Sequence, residues 1–521
     1  MTRPKILVTE ALGPKGLAYL AEHAEVDAHD LLPPAELPGL MGQYDAVIIR
    51  SAHRLTRELM TGHPRLKVVA RAGAGVDNVD LTAATELGLA VINAPGANAI
   101  AAAEHSFGLM LAVMRNIRRG DLHVREGGWN RQAHLGQELH GKRLGIIGLG
   151  RVGRQIARIA HGFRMEIYAY DPFITPDIFT AHNVTRVETL DDLFPVADVL
   201  TLHTPKTGPH LGKEQFRRLP PGAVVINAAR GGLMDEEALF ELLDSGHLGG
   251  VGLDVFTVEP PPRDFRLFNH PNVVLTPHLG GSTHEALAEV GMMTARGVIE
   301  ALQGLTPPNI VNVPIPDLDG AQFRGLDQAA RILGRVFAIL NPEIRRSLVL
   351  SLKGQIPGSV SPWMRQAVLA ALLSERMDDR VNTVNALIKA EQQGIRVLVE
   401  EEYAEDREPS LHLRWEGEPD SAVVVGLNKL VPTLKMLGGI PVELPWPDRA
   451  LITRHRDAPG VVGLVGTLVG QHQVNIGNLY LGRNQMGQNA LMVLTLDTAA
   501  PPALVAALKA HPEIEQVYVF E

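Results

Sequence analysis

Ten short apolar runs, at residues 6–8, 47–49, 68–70, 91–92, 144–147, 167–170, 199–202, 224–226, 252–255 and 273–275, alternate with helix-like segments through the first three hundred residues. Runs without a polar alternate need cover on both faces, the condition of parallel sheets built from βαβ units. They fall into two sets, so two Rossmann-like, doubly wound parallel-sheet lobes of α/β class are expected. Between the sets, residues 99–119 carry Phe107, Leu111, Met114 and Ile117 at helical spacing and predict one long helix linking the lobes. Glu104, His105 and Arg115 exclude a membrane span there. A second long helix, about 283–303, ends at Gly304 and Pro307-Pro308 and could carry the chain back to the first lobe. The expected division is residues 1–98 with 283–316 as a substrate-binding lobe and 99–282 as a dinucleotide-binding lobe.

Two such lobes leave much of a 521-residue chain unexplained. Beyond Pro314-Ile-Pro316 an α+β region is expected over 317–448. After Pro445-Trp-Pro447, the strand-like runs 450–453, 491–496 and 516–520, with a helix pattern after Gly460, predict a ferredoxin-like βαββαβ domain over 449–521. A net charge of −9 means a polyanion must find a local basic patch, so no nucleic-acid partner is expected. The absence of cysteine excludes disulfides, thiolate zinc sites, iron–sulfur clusters and a cysteine nucleophile, and no metal site is expected. The N-terminal residues lack a signal-peptide core and no stretch approaches the ~20 apolar residues of a membrane span. A soluble cytoplasmic protein is the expectation.

Residues 144–147 run into Gly148-Leu-Gly150-Arg151-Val152-Gly153, and Val152, Ile156, Ile159 and Ala160 mark one face of the helix that follows. The glycines permit a tight turn, close approach of the backbone to a pyrophosphate and close helix packing, while the helix N-terminus supplies oriented N–H groups. Glycines alone are common in loops. The flanking strand and helix, with Asp171 ending the next strand 18 residues after Gly153, turn the motif into a dinucleotide site. A carboxylate there accepts from the adenosine ribose and repels a 2′-phosphate, which favours NAD over NADP. His203 and Thr204, then Asn227-Ala228-Ala229-Arg230, fall at the ligand-binding edge of a parallel sheet. From spacing alone, His203 and Thr204 read equally as a loop turn with a capping hydroxyl.

Arg230, Glu259 and His278 each follow a buried-looking strand. Oxidising a secondary alcohol requires a base for the hydroxyl proton as hydride leaves for a nicotinamide, and histidine has a suitable pKa. A carboxylate bonded to it would orient the ring and favour its charged form. Arginine can clamp a substrate carboxylate bidentately. No spacing rule joins Glu259 to His278, and each of the 20 histidines, taken singly, is better explained by surface or packing.

From Arg50 to His284 the sequence resembles the D-isomer-specific 2-hydroxy-acid dehydrogenases, on Arg50-Ser-Ala, Arg71-Ala-Gly-Ala-Gly-Val-Asp-Asn, Gly148-Leu-Gly-Arg-Val-Gly with Tyr170-Asp171-Pro172, Asn227-Ala-Ala-Arg-Gly-Gly, Leu253-Asp-Val-Phe-Thr-Val-Glu-Pro and Pro277-His-Leu-Gly-Gly-Ser-Thr. Within that family it is similar to the long-form branch that oxidises D-3-phosphoglycerate to 3-phosphohydroxypyruvate on the phosphorylated route to L-serine. The resemblance implies Arg230 on the substrate carboxylate, Glu259 supporting the base and His278 as acid/base. It implies cofactor contacts from Arg151, Val152, Asp171, Thr204, Ala228, Asp254 and Gly280. It also implies phosphate-side residues Arg50, Ser51, Arg71 and Arg131, with Asn98 near the carboxylate. The counterpart of Arg131 reaches a neighbouring subunit's cleft, so a homodimer or homotetramer is implied. By themselves the arginines could also be solvated surface residues, the lesser of the two readings. Other 2-hydroxy acids, such as glycerate, hydroxypyruvate or 2-hydroxyglutarate, are the rival substrates. A formate dehydrogenase is disfavoured because glutamine replaces Glu259 there, and an NAD-sensing corepressor because Arg230, Glu259 and His278 are all present.

The last segment, Arg454-His-Arg-Asp457-Ala-Pro-Gly460-Val-Val-Gly463 followed by Val474-Asn475-Ile-Gly477, resembles an ACT domain, a regulatory fold that binds amino acids. The resemblance implies L-serine as effector, held by Asp457 and Asn475 between paired domains. His455 stands where some relatives have tyrosine. As residues alone, Asp457 and Asn475 read equally as an N-cap and a hairpin position. Residues 317–448, including Val381-Asn-Thr-Val-Asn-Ala-Leu, resemble the long form's intervening domain.

Overall fold

The computed structural model describes residues 3–316, 318–447, 449–483 and 489–520. The expected boundary residues Asp317 and Asp448 lie outside these. The chain divides into two compact units, residues 1–80 with 91–309, and residues 81–90 with 310–521.

A five-stranded sheet, β1 (Lys5–Val8), β2 (Glu25–Ala28), β3 (Ala46–Ile49), β4 (Val68–Arg71) and β5 (Ala90–Ile92), has the order β2-β1-β3-β4-β5, with β1–β2, β1–β3 and β3–β4 parallel. β2 is an edge strand of sequence Glu-Val-Asp-Ala and lacks an apolar run. The order reverses between β1 and β3, which opens a crevice beyond their carboxyl ends.

A seven-stranded parallel sheet follows: β6 (Arg143–Ile147), β7 (Glu166–Tyr170), β8 (Thr185–Arg186), β9 (Val199–Leu202), β10 (Ala223–Asn227), β11 (Leu248–Leu253) and β12 (Val273–Leu275), in the order β12-β11-β10-β9-β6-β7-β8. Alternate residues of β10 feed two cores, Val225 on one face and Val224 with Ile226 on the other. Burial on both faces is what removes the polar alternation from these strands. The switch point lies between β6 and β9.

The single helix expected over 99–119 is two helices, Ala99–Met114 and Ile117–Arg125. Asn116 between them is left-handed (φ 51°), a conformation asparagine tolerates better than most side chains, and it stops the first helix although apolar spacing continues to Ile117. The return helix runs His284–Leu302 and is capped by Thr283, whose hydroxyl accepts from the Ala286 N–H (3.1 Å). It meets the helix Pro14–His23 at Gly16, where a Cβ would lie 2.5 Å from the Gly291 carbonyl, so backbone touches backbone.

In the second unit, the helix Gly320–Leu340 and the helix Ser361–Ser374 cover a mixed sheet of β13 (Ser347–Gly354), β14 (Arg396–Tyr403), β15 (Ser410–Trp415), β16 (Glu418–Asn428), β17 (Val431–Leu437) and β18 (Ile440–Pro445), in the order β14-β13-β15-β16-β17-β18. The 381–387 motif has a structural use here. Asn382 donates to the Gly88 carbonyl (2.8 Å), and Asn312 donates to Leu89 (2.9 Å), tying residues 81–90 into this unit. The C-terminal β19 (Ala450–Arg456), β20 (Ile476–Arg483), β21 (Asn489–Leu496) and β22 (Ile514–Phe520), with the helices Val461–Gln471 and Pro502–Lys509, make an antiparallel sheet in the order β20-β21-β19-β22. This is the expected ferredoxin-like βαββαβ arrangement. Among the described residues, no helix is long and apolar enough to cross a membrane.

Candidate active site

The glycine loop leaves β6 at the switch point. Gly148 is left-handed (φ 94°), and a Cβ on it would lie 2.7 Å from the His203 carbonyl. A Cβ on Gly153 would lie 2.1 Å from the Gly148 carbonyl, which forces glycine there, whereas Gly150 faces open space at the N-cap of the helix Arg151–Gly162. Asp171, at the end of β7, accepts from the loop through the Leu149 N–H (2.8 Å) and from the Phe173 N–H (2.9 Å). His203 follows β9 and binds Thr201 Oγ1 (3.0 Å), and burial pushes its imidazole down to about 3, which keeps it neutral. The buried Thr204 hydroxyl has no partner among the described residues. A cradle too tight for Cβ atoms, an open helix N-terminus and an orphaned hydroxyl fit a bound dinucleotide. Val152 is half-buried in the same helix. The Arg151 side chain packs along Gly96, where a Cβ would lie 2.6 Å from its Cδ.

Beyond β11 and β12 the loops converge on Asp254. Its fully buried carboxylate accepts from Thr276 Oγ1 (2.6 Å), Leu279 N–H (2.7 Å), Gly280 N–H (2.8 Å) and His105 Nε2 (3.1 Å). Burial alone would raise this carboxyl, but the bonds from His105, Thr276 and Leu279 outweigh it and hold the group below its ordinary value. The Asp254 carbonyl accepts the His278 N–H (2.9 Å). His278 is held left-handed (φ 55°), a strained conformation sustained by this network.

His278 Nδ1 lies 2.8 Å from Glu259 Oε2, whose other oxygen accepts the Phe256 N–H (3.1 Å). A carboxylate can only accept, so Nδ1 carries the hydrogen, and in the neutral ring the lone pair is on Nε2. Both residues line a largely apolar cavity of about 410 Å³ with Phe256, Phe268 and Leu275. Arg230 leaves β10 past Ala228. Its Nε donates to Asp77 Oδ2 (3.0 Å) and its Nη1 to the Ala229 carbonyl (2.7 Å), while Nη2 lies over Gly75, where a Cβ would be 2.2 Å away.

Arg50 and Arg71 end the neighbouring strands β3 and β4 of the first sheet. Burial, then the charges of Arg230 and Arg50, pushes the Arg71 guanidinium below its ordinary value, and its buried Nε has no partner among the described residues. Guanidiniums that repel one another in this way favour an anion among them. Asn98, at the start of the helix Ala99–Met114, lies against Gly281. Arg131 is exposed, and its guanidinium has no partner among the described residues. Asp77, Glu10 and His105 are site-forming residues to which no motif assigned a role.

In the C-terminal sheet, Asp457 pairs with Arg483 (3.3 Å) and Asn475 with Asp497 (2.6 Å). The register puts His455, Ala490 and Arg483 in one row, and Ile476 beside Leu496 at the other end. Asp457 and Asn475 therefore stand at opposite ends of one sheet, roughly 30 Å apart at about 3.3 Å per strand residue.

Residues 107–280 match the D-isomer specific 2-hydroxyacid dehydrogenase NAD-binding domain. Over 99% of its length the chain is 36% identical to a D-3-phosphoglycerate dehydrogenase of Synechocystis sp., 94% of which is covered. The chain belongs to the D-3-phosphoglycerate dehydrogenase family. A D-3-phosphoglycerate dehydrogenase of Methanocaldococcus jannaschii is likewise 36% identical, with 99% of both chains covered. A crystal structure of a Thermus thermophilus protein, 36% identical, superposes with a TM-score of 0.55 over 59% of this chain and 99% of that one. In this D-3-phosphoglycerate dehydrogenase family member, the seven-stranded sheet with its glycine loop is the NAD-binding domain.

Proposed function

We propose that this protein oxidises D-3-phosphoglycerate to 3-phosphohydroxypyruvate with NAD, the first step of the phosphorylated route to L-serine. The observation that carries the substrate is the electrostatic convergence of Arg50 and Arg230 on Arg71, whose buried Nε has no partner among the described residues, in a protein that also pairs His278 with Glu259. NAD, when bound, supplies the hydride acceptor. His278 Nε2 takes the hydroxyl proton. Glu259 holds Nδ1 and stabilises the imidazolium that forms. Arg230, with Asn98, grips the carboxylate, while Arg50, Ser51 and Arg71 meet the phosphate, completed by Arg131 of the partner subunit. Gly148, Gly150, Arg151, Val152, Gly153, Asp171, His203, Thr204, Ala228, Asp254 and Gly280 surround the cofactor.

Loss of NADH absorbance with 3-phosphohydroxypyruvate tests the activity, and silence across 2-oxo acids would overturn it. Arg50→Ala and Arg71→Ala are each expected to raise KM for D-3-phosphoglycerate roughly 10- to 100-fold, the scale of a lost charged hydrogen bond. KM for D-glycerate, which has no phosphate, should move far less. Equal effects on the two substrates would remove the phosphate reading.

The same reading assigns residues 1–98 with 283–316 to substrate, 99–282 to NAD, 317–448 to an intervening domain and 449–521 to ACT-type regulation, in a cytoplasmic homodimer or homotetramer. Ile117, Leu122, Val124, Trp129 and Leu135 are exposed along one stretch, with Trp129 at 82%, as expected of an arm that a second copy covers. Because Asp457 and Asn475 stand at opposite ends of one sheet, a serine site using both requires two copies of it. L-serine should lower the rate of the wild type and leave Asp457→Ala unaffected. A wild type indifferent to serine would remove the effector.

A further inference from the structure

The crevice of the first sheet lies where its strand order reverses, beyond the ends of β1 and β3. In open parallel sheets this is where ligands bind. Here a side chain of the protein itself fills it. Glu10, two residues past β1, is 8% exposed, and its carboxylate faces the turn that leaves β3. Oε1 accepts the Arg50 N–H (2.8 Å), Oε2 accepts the Ser51 N–H (3.1 Å), and the Ala52 N–H points at both oxygens (3.2 and 3.1 Å). His53 Nδ1, itself buried, lies 3.1 Å from Oε1 and 3.1 Å from Thr9 Oγ1. From the other side, Asn78 donates to the Arg50 and His53 carbonyls (2.7 Å each). Consecutive N–H groups converging on one point form a nest of the kind that binds anions. With Glu10 in it, those groups are committed, and Arg50 and Ser51 can meet a ligand only through their side chains. Among the described residues, the Arg50 guanidinium donates only to the Ala11 carbonyl (3.2 Å).

We propose that Glu10 is a positioning residue of the phosphate site: its carboxylate, seated in the Arg50–Ala52 nest, fixes the turn that presents Arg50 and Ser51 to the substrate phosphate. This rests on the phosphate reading above. A carboxylate has two acceptor oxygens and matches a nest of donors, whereas a carboxamide offers one oxygen and turns an NH₂ toward the remaining N–H groups.

The test compares Glu10→Gln, Glu10→Asp and Arg50→Ala in the full-length enzyme, with D-3-phosphoglycerate and D-glycerate as substrates and KM for NAD as a third readout. Glu10→Gln is expected to raise KM for D-3-phosphoglycerate about tenfold and that for D-glycerate less than threefold, with kcat and KM for NAD within twofold. A residue that merely supported the fold would shift both substrates together, which would overturn the proposal, as would an unchanged KM for D-3-phosphoglycerate. If Glu10→Gln does not fold, Glu10→Asp decides by the same criteria, since it keeps the charge and shortens the reach. Arg50→Ala separates the two levels. If it lowers discrimination between the substrates and the Glu10 variants do not, the positioning role fails alone. If it leaves discrimination unchanged, the phosphate reading has failed.

Discussion

His278→Ala is expected to lower kcat roughly 10³-fold while NADH binds within about twofold of wild type, the loss characteristic of removing a positioned general acid–base group. The expectation rests on the ring's surroundings. Nδ1 is taken by Glu259, and the backbone N–H groups of residues 278–280 are held by Asp254, so the alanine variant loses the imidazole without loosening the loop. Steady-state absorbance gives the rate, and fluorescence titration gives the affinity for NADH. More than a tenth of the wild-type rate would remove His278 as the base. Glu259→Gln adds a sign that a purely structural histidine would not produce. Taking away the carboxylate removes the acceptor that orients Nδ1 and stabilises the imidazolium, so kcat should fall while NADH binds as in the wild type.

The central strands were legible because sheets covered on both faces admit no polar alternation. Val224, Val225 and Ile226 read as a strand and are buried as one. The edge strand Glu25–Ala28 carries no such signature because water replaces a packing layer there. The break at Asn116 was invisible for the opposite reason: Leu111, Met114 and Ile117 keep helical spacing across a residue whose left-handed backbone spacing cannot report. The glycine loop was legible since Gly148 and Gly153 each answer a contact within a few residues or beside the adjacent strand. Long-range acids were not. Glu10 meets Arg50 40 positions away, His105 meets Asp254 149 away and Asp77 meets Arg230 153 away. Asp77 lay inside a motif that marked the family, but nothing local tells a cleft carboxylate from a solvated one. The pairing of Glu259 with His278 came from resemblance, and the 2.8 Å contact gives it a geometry.

The second large effect is expected at Arg230, and it tests the accounting of charge in the cleft. Arg230→Ala should lower kcat/KM for D-3-phosphoglycerate about 10³-fold, near the top of the range for removing a group that stabilises charge at the reacting centre. Arg230→Lys should fall at least tenfold, because a guanidinium serves Asp77 through Nε and Ala229 through Nη1 while Nη2 remains, whereas an ammonium must divide three donors on a mobile stem. A lysine variant within threefold of wild type would show that a point charge suffices and remove the bidentate clamp. The alanine variant does more than delete an attraction. It leaves Asp77 facing an anionic substrate with no cation bonded to it, and like charges at short range repel. Asp77→Asn on the Arg230→Ala background should therefore recover several-fold in kcat/KM, mainly through KM. Asp77→Asn alone should lower it, since the guanidinium then loses the contact that aims its outer edge. Loss in both backgrounds would mean that Asp77 serves the cleft by some route other than through Arg230.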